Sequence, residues 1–179
     1  MYSYSWLRGK YVTSSSGIAF PEGASFAFSG VDAPALQTIL TTVGYDSAML
    51  NGMDIVDVYD EPVRDFTTEE RFFLSSPALL LSKEGALTRH LLYNDPRAAQ
   101  VLTDAMLRKL QAANLDGWAK LAFDPTYKRA KYKTVQLGHV KHLCSHCPVT
   151  VAASSPEVVK FVWAVGIGDL TGSGFGAIL

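Results

Sequence analysis

His139, His142, Cys144, His146 and Cys147 crowd into nine positions, and each can move a proton or hold a metal. Imidazole titrates near neutrality, and thiolate with imidazole suits tetrahedral zinc. On an extended strand, residues 142, 144 and 146 share a face and 147 points away. With no second Cys-x-x-Cys in the chain, that spacing disfavours a metal site and leaves acid–base chemistry, with surface or packing histidines as the plain alternative. Just upstream, Tyr127-Lys-Arg-Ala-Lys-Tyr-Lys133 interleaves cations with aromatic rings. Cations meet phosphates and rings stack on unpaired bases, a combination suited to RNA. Lys128, Arg129, Lys131, Tyr132 and Lys133 are therefore candidate contacts; the plain alternative is an exposed hairpin with solubilising lysines. Strand alternation puts Lys131 and Lys133 on one face and Tyr132 on the other.

The third chemical feature is Gly166-x-Gly168-x-x-x-Gly172-x-Gly174-Phe-Gly176. Five glycines free the backbone of Cβ atoms, so its N–H groups can turn towards an anion or lie against a nucleic-acid strand. Thr171 occupies the third glycine position of a dinucleotide fingerprint, and the loop follows a helix instead of opening one. The alternative is a tight helix-to-strand connection. Ser75-Ser76-Pro77 has no glycine elbow for a serine nucleophile. Asp54, Asp57, Asp60, Glu61 and Asp65 have no metal-loop spacing and read as a solvated acidic face.

These residues need elements to hold them. Tyr2–Thr13 is rich in aromatic and β-branched residues and reads as a strand, with a turn at Ser14–Gly17, more strand at Ile18–Phe20 and another at Ser25–Ser29. Asp32 and Pro34 open a helix with Leu36, Ile39, Leu40 and Val43 on one stripe, and Gly44 stops it. Met53–Tyr59 alternates as a strand. Strands are expected again at Arg71–Leu74 and Ala78–Leu81. Asp95-Pro96 starts the clearest helix, carrying Ala99, Leu102, Met106, Leu107 and Leu110 at helical spacing and closed by Asn114–Gly117. A basic, strand-rich stretch over 118–143 turns at Asp124–Thr126. Cys147–Ala152 reads as a strand, Ser155-Pro156 opens an apolar helix to Val165, and the glycine-rich loop leads to a closing strand.

A shift of 122 positions superimposes the two ends of the chain. Pro34 falls on Pro156, Val43-Gly44 on Val165-Gly166, and Leu36, Ile39, Leu40 and Val43 on Val158, Phe161, Val162 and Val165. The second half runs β-α-β-β-α-β, the split ferredoxin-like pattern, and the first half supplies the last four of those elements. The expected fold is α+β: tandem ferredoxin-like (RRM-like) units over 1–65 and 66–179, the first incomplete at its N-terminus.

The chain has 179 residues, 48% hydrophobic and 18% charged, the balance of a globular protein. No apolar run is long enough to span a membrane, no secretory signal opens the chain, and two cysteines cannot build a disulfide framework. A cytoplasmic setting follows as the expectation. The net charge of −1 hides a segregation, because residues 1–70 carry −7 and residues 120–179 carry +4. Lys120, Lys128, Arg129, Lys131, Lys133 and Lys141 fall in 22 positions with Asp124 as the sole acid. Local charge of this kind decides where a phosphate backbone can dock; a solvated strand face is the other reading.

Three segments resemble one family. Gly166–Gly176 after a short apolar helix, Phe72-Phe-Leu-Ser-Ser-Pro77, and Tyr4-Ser-Trp-Leu-Arg-Gly9 with Gly17-Ile-Ala-Phe and Phe26-Ala-Phe-Ser are similar to the CRISPR-associated endoribonucleases that cut repeat RNA into guide RNAs. That is the sixth Cas family, within the RAMP superfamily. The resemblance implies tandem ferredoxin-like units and a cut that needs no metal or other cofactor: a 2′-hydroxyl attacks the adjacent phosphate, leaving a 2′,3′-cyclic phosphate and a 5′-hydroxyl. It implies repeat RNA or guide RNA as partner, effector subunits or a second copy as protein partners, and no membrane. Lys128, Arg129, Lys131, Tyr132 and Lys133, with Gly166, Gly168, Gly172, Gly174 and Gly176, are the expected RNA contacts. The family's general histidine lies on the first helix of the first unit, and no residue here matches it. His139 and His142, near the basic stretch, are the substitute candidates. The alternative is a non-catalytic subunit that holds guide RNA within an effector complex.

Overall fold

The computed structural model describes residues 1–15, 17–85 and 87–178, with Leu50 described by its backbone alone. Ser16, in the expected first turn, and Leu179, at the end of the expected closing strand, lie outside the described residues. In chain order the elements are β1 (Tyr2–Tyr4), β2 (Val12–Ser14), β3 (Gly17–Ala19), β4 (Phe28–Gly30), α1 (Ala33–Tyr45), β5 (Glu69–Phe72), β6 (Leu81–Glu84), β7 (Leu87–His90), α2 (Ala98–Ala112), β8 (Ala119–Phe123), β9 (Lys131–Leu137), β10 (Val140–His146), β11 (Val149–Ala153) and α3 (Pro156–Val165). Among the described residues no helix is long and apolar enough to cross a membrane.

Alternation builds the main sheet. Ala119, Leu121 and Phe123 of β8 and Val149, Val151 and Ala153 of β11 point into the core, and the residues between them face outward. β11 is central, antiparallel to β5 and to β8. Beyond β5, Leu74 bridges Ile178, so the chain end runs beside the extension of β5. The spatial order is chain end, β5, β11, β8, with α2 and α3 supplying the cover. Leu102, Met106 and Leu110 of α2 and Val158, Phe161, Val162 and Val165 of α3 fill the core with Phe72, Leu121, Val149 and Val151. Ser155 caps α3 by accepting the Val158 amide at 3.3 Å. Thr103 of α2 accepts the Leu121 amide at 3.0 Å, which protects one edge of β8. Two hairpins stand on this frame, β6–β7 and the longer β9–β10.

The first half repeats part of that plan. β1 pairs with β4, β2 with β3, and α1 starts from Asp32, whose carboxylate accepts the Ala35 amide at 3.0 Å. Its apolar stripe, however, has no buried residue. The expected strand over Tyr2–Thr13 is two short ones. After β1 the Ser5 hydroxyl takes the Ala27 amide at 2.8 Å, which interrupts the ladder before a lone Arg8–Ser25 bridge. The expected strand at Met53–Tyr59 does not form; a bridge from Ala48 to Asp54 is all that remains of it. Its counterpart under the repeat is the chain end beside Leu74 and β5, and among the described residues the strand paired with β4 is β1. An alternating segment without a neighbouring strand has no ladder to join. Ala78–Leu81 is likewise not a continuous strand: Ala78 bridges Ser145, Leu79 bridges Asp169, and β6 begins at Leu81. The expected strand from Cys147 starts two residues later, at Val149.

Candidate functional site

Leu137-Gly-His-Val140 turns β9 into β10 in two residues, and Gly138 supplies the positive φ (59°) that such a turn demands of its first position. That turn fixes the register. Val140 lies opposite Leu137, His142 opposite Val135, Cys144 opposite Lys133 and His146 opposite Lys131. Directly opposed residues share a face, so Lys131, Lys133, His142, Cys144 and His146 are on one side and Tyr132, Thr134 and Gln136 on the other. Along the first side, exposure rises from the turn-proximal middle to the open end. Cys144 is fully buried against Leu79 and Phe175, His142 is buried, His146 and Lys133 are half-buried, and Lys131 is exposed.

The glycine-rich loop lies beneath this face. Phe175 packs edge-on to His142 with ring centroids 5.7 Å apart, and His90 of β7 meets the same imidazole, Nε2 to Nδ1, at 3.4 Å. Burial, and then the neighbouring His142, hold the His90 pKa below the usual imidazole value. Two glycines explain the loop's composition. Gly176 has φ 63°, and a Cβ there would run into the Ile167 carbonyl; at Gly174 a Cβ would lie 2.7 Å from the Tyr4 ring. The amides of Gly166, Gly174 and Gly176 donate to the carbonyls of Val162, Thr171 and Pro77. Those three N–H groups hold the fold together and do not project outward, which corrects the expectation that the whole loop offers free amides. Gly172 is exposed, and Gly168 packs against the Leu79 carbonyl.

The first half reaches this place through Trp6. Its indole N–H donates to the Gly174 carbonyl at 3.0 Å, and the Lys133 ammonium lies 5.0 Å from its ring centroid. Burial, with Lys131 adding repulsion, lowers the Lys133 pKa. His146 is in the same field. Burial lowers its pKa first, then Lys133 and Lys131, while a hydrogen bond with the Leu74 backbone acts in the opposite sense. Cation, ring, imidazole and glycine loop therefore converge where the hairpin leaves the body of the protein.

The sequence-derived candidates divide as follows. Lys131 and Lys133 are on the convergent face; Tyr132 is on the opposite, exposed face; Lys128 and Arg129 lie in the loop before β9. His142 is enclosed between His90 and Phe175, and His139 stands exposed in the turn with no hydrogen bond, ion pair or ring contact among the described residues. Cys144 and Cys147 are buried thiols with pKa pushed up to about 11 by burial, so both are protonated at neutral pH in the metal-free chain. Among the described residues no group of three or more His, Cys, Asp or Glu side chains could hold a metal ion. Trp6 and His90 were not singled out from sequence, and His146 was read there as a member of the His/Cys cluster but not as a substitute for the missing histidine. For His146 a signal existed: a two-residue turn at Gly138-His139 sets every pairing in the hairpin, and it places His146 opposite Lys131. Trp6 and His90 reach the site through long-range contacts that carry no local signal.

Comparison with known proteins agrees with this architecture. The family model described as CRISPR associated protein Cas6, C-terminal, matches residues 59–178. Among curated proteins nothing matches the sequence. Among solved structures, a Cas6-related protein from Pyrococcus furiosus superposes with a TM-score of 0.83 at 17% identity, over 99% of this chain and 77% of its own. A RAMP protein described as binding different RNA substrates gives 0.80 at 20% identity, over 99% and 78%. A Cas6 product complex gives 0.62 at 15% identity, over 99% and 82%. These likenesses show a mixed α+β, ferredoxin-like fold. With a family model covering well over half of its length, the chain belongs to the Cas6 family of CRISPR-associated proteins.

Proposed function

We propose that this protein is a metal-independent endoribonuclease that cuts CRISPR repeat RNA into guide RNAs, by 2′-hydroxyl attack that leaves a 2′,3′-cyclic phosphate. The observation that carries the reading is the cationic, aromatic junction of Lys131, Lys133, Trp6 and His146 beside the glycine-rich loop. Cations there meet the phosphate, and exposed Tyr132 offers a stacking face from the other side of the hairpin. Lys128 and Arg129 extend the backbone track, and exposed Gly172 gives the strand close approach to the loop, while Gly166, Gly168, Gly174 and Gly176 shape it. His139 and His142 enter the same test as acid–base candidates. The division of labour is between a partial unit over 1–65 and a complete one over 66–179, with effector subunits or a second copy as protein partners.

A second reading, a subunit that holds guide RNA without cutting it, is favoured by one observation: the His142 ring is enclosed by Phe175 and His90. The deciding experiment is cleavage of a labelled repeat RNA from the source's own array, in EDTA, beside copies with a 2′-deoxy at each candidate position. One cut that survives EDTA and vanishes in one deoxy copy is the expected result. Tight binding without a cut selects the holder. Replacing Lys131 and Lys133 together by alanine is expected to weaken binding and to reduce the slope of log K against log salt by about 1.4, two phosphate contacts on a single strand. An unchanged slope would remove this face from the interface.

A further inference from the structure

We infer that His146 is the general base of the cut, with Lys131 and Lys133 holding the scissile phosphate across the open end of the hairpin. The inference rests on the endonuclease reading and names the group that reading leaves unassigned. A general base needs a ring held in one orientation, a free nitrogen, and a cation within reach of the phosphate whose neighbouring hydroxyl it deprotonates.

Three observations meet at His146. The register puts it directly opposite Lys131 and diagonal to Lys133. Such neighbours have side chains about 5 Å and about 7–8 Å apart at their bases, a gap that one phosphate group can bridge. The ring has the Leu74 backbone as a hydrogen-bond partner, which helps to hold it on the face that carries both lysines. The floor is built as well. Lys133 is steadied over the Trp6 ring, and Trp6 is tied to the Gly174 carbonyl, so the cation is anchored to the glycine loop through the first half of the chain. His146 is half-buried, open enough for RNA and enclosed enough to keep its imidazole neutral. The other histidines of the cluster lack one requirement each. His142 is enclosed, and among the described residues His139 has no hydrogen bond, ion pair or ring contact to orient it.

The step balances within the chain and its substrate. The free nitrogen of His146 takes the 2′-hydroxyl proton, the 2′ oxygen bonds to phosphorus, and the bond from phosphorus to the 5′ oxygen breaks. The departing 5′ oxygen takes a proton from the Lys131 ammonium, and His146 returns its proton to Lys131 through water. Lys133 meets the non-bridging oxygens as charge builds on them.

The test compares the full chain with His146→Gln and His146→Ala on the labelled repeat RNA in EDTA. The expected result is a fall of about 10²–10³-fold in single-turnover rate with RNA binding within about threefold, and partial recovery of His146→Ala by added imidazole. Gln keeps the size of the ring's polar contact, so a merely structural histidine would be rescued by Gln and untouched by imidazole. A cut within about threefold of the parent in both variants overturns the inference and leaves the endonuclease reading standing. Repeat RNA bound but not cut by the parent chain overturns the inference and selects the holder. Neither bound nor cut overturns both.

Discussion

Lys109 shows how one side chain ties the glycine loop to the helices. Its ammonium, in the last turn of α2, donates to the Gly166 carbonyl at 2.9 Å and approaches the Thr171 hydroxyl at 3.4 Å. Gly166 follows α3, so the lysine satisfies a carbonyl that the helix end leaves without an internal partner. Burial sets its titration, lowering the pKa to about 8 against a weaker opposing pull from Asp169. The unfolded chain keeps this proton up to about pH 10.5, whereas the folded one releases it from about 8 upward. Between those values the unfolded state binds more protons, so this group makes stability rise with pH, on the order of 2 kcal/mol after solvent screening, with little slope below about pH 7. Urea unfolding at about pH 7 and about pH 10 checks it. Lys109→Met is expected to lower stability at pH 7 by about 1–3 kcal/mol, the penalty for unpaired carbonyls. The variant also loses the gain that the parent shows towards pH 10. An equal pH response in both proteins would place the lysine in solvent.

At the scale of elements, α1 and α3 carry one pattern to two outcomes. Ile39 and Phe161 occupy the same place in the repeat, yet Phe161 is 6% exposed and Ile39 is 40% exposed. Phe161→Ala is therefore expected to destabilise by about 3–5 kcal/mol, and Ile39→Ala to stay within about 0.5 kcal/mol. Equal effects, measured by denaturant midpoints, would mean that α1 has a covering partner in solution. The same contrast explains what the sequence could disclose. Helices were legible because their signals are local: Asp32 and Ser155 cap, Pro34 and Pro156 sit in the first turn, and Gly166 ends α3, although α1 runs one residue past the expected Gly44 stop to Tyr45. The strands of the second half were legible because they alternate beside neighbours that the chain itself supplies. Met53–Tyr59 alternates just as well and forms no strand, because pairing depends on a neighbour and not on the segment's own pattern. At the site, Lys131 and Lys133 were legible from interleaved charge, and the face shared by 142, 144 and 146 from parity. Which histidine is enclosed and which stands at the rim depends on Phe175 and His90, which come from distant segments.

Over the whole molecule these differences add up to unequal protection. The second half encloses its core with sheet and helices, and β11 is hydrogen-bonded along both edges. In the first half β4 is paired along one edge, to β1, and Tyr11, Ile18, Ile39, Val56 and Tyr59 are exposed. What fastens this half is the seam. Ser3 and Ser29 hydroxyls donate to the Ala164 carbonyl, the second at 2.8 Å, the Tyr4 ring sits on Gly174, and Trp6 reaches the Gly174 carbonyl. The seam also assembles the junction at Lys133, so local opening there would separate Trp6 from the cation it steadies. Native-state hydrogen exchange is expected to show two classes of amide: those of β5, β8, β11, α2 and α3 exchanging through global unfolding, and those of α1 and the β2–β3 hairpin through a cheaper local opening. Gly174→Ala introduces a Cβ against Tyr4 at a residue with φ 84°, and is expected to lower protection of β1 and β4 while leaving β11 and α3 near their parent values. Since Lys133 depends on Trp6 and Trp6 on Gly174, the same variant should weaken RNA binding without touching any charged group. Protection of α1 equal to that of α3, or loss of protection spread evenly by Gly174→Ala, would show the two halves opening as one unit and would detach the site from the seam.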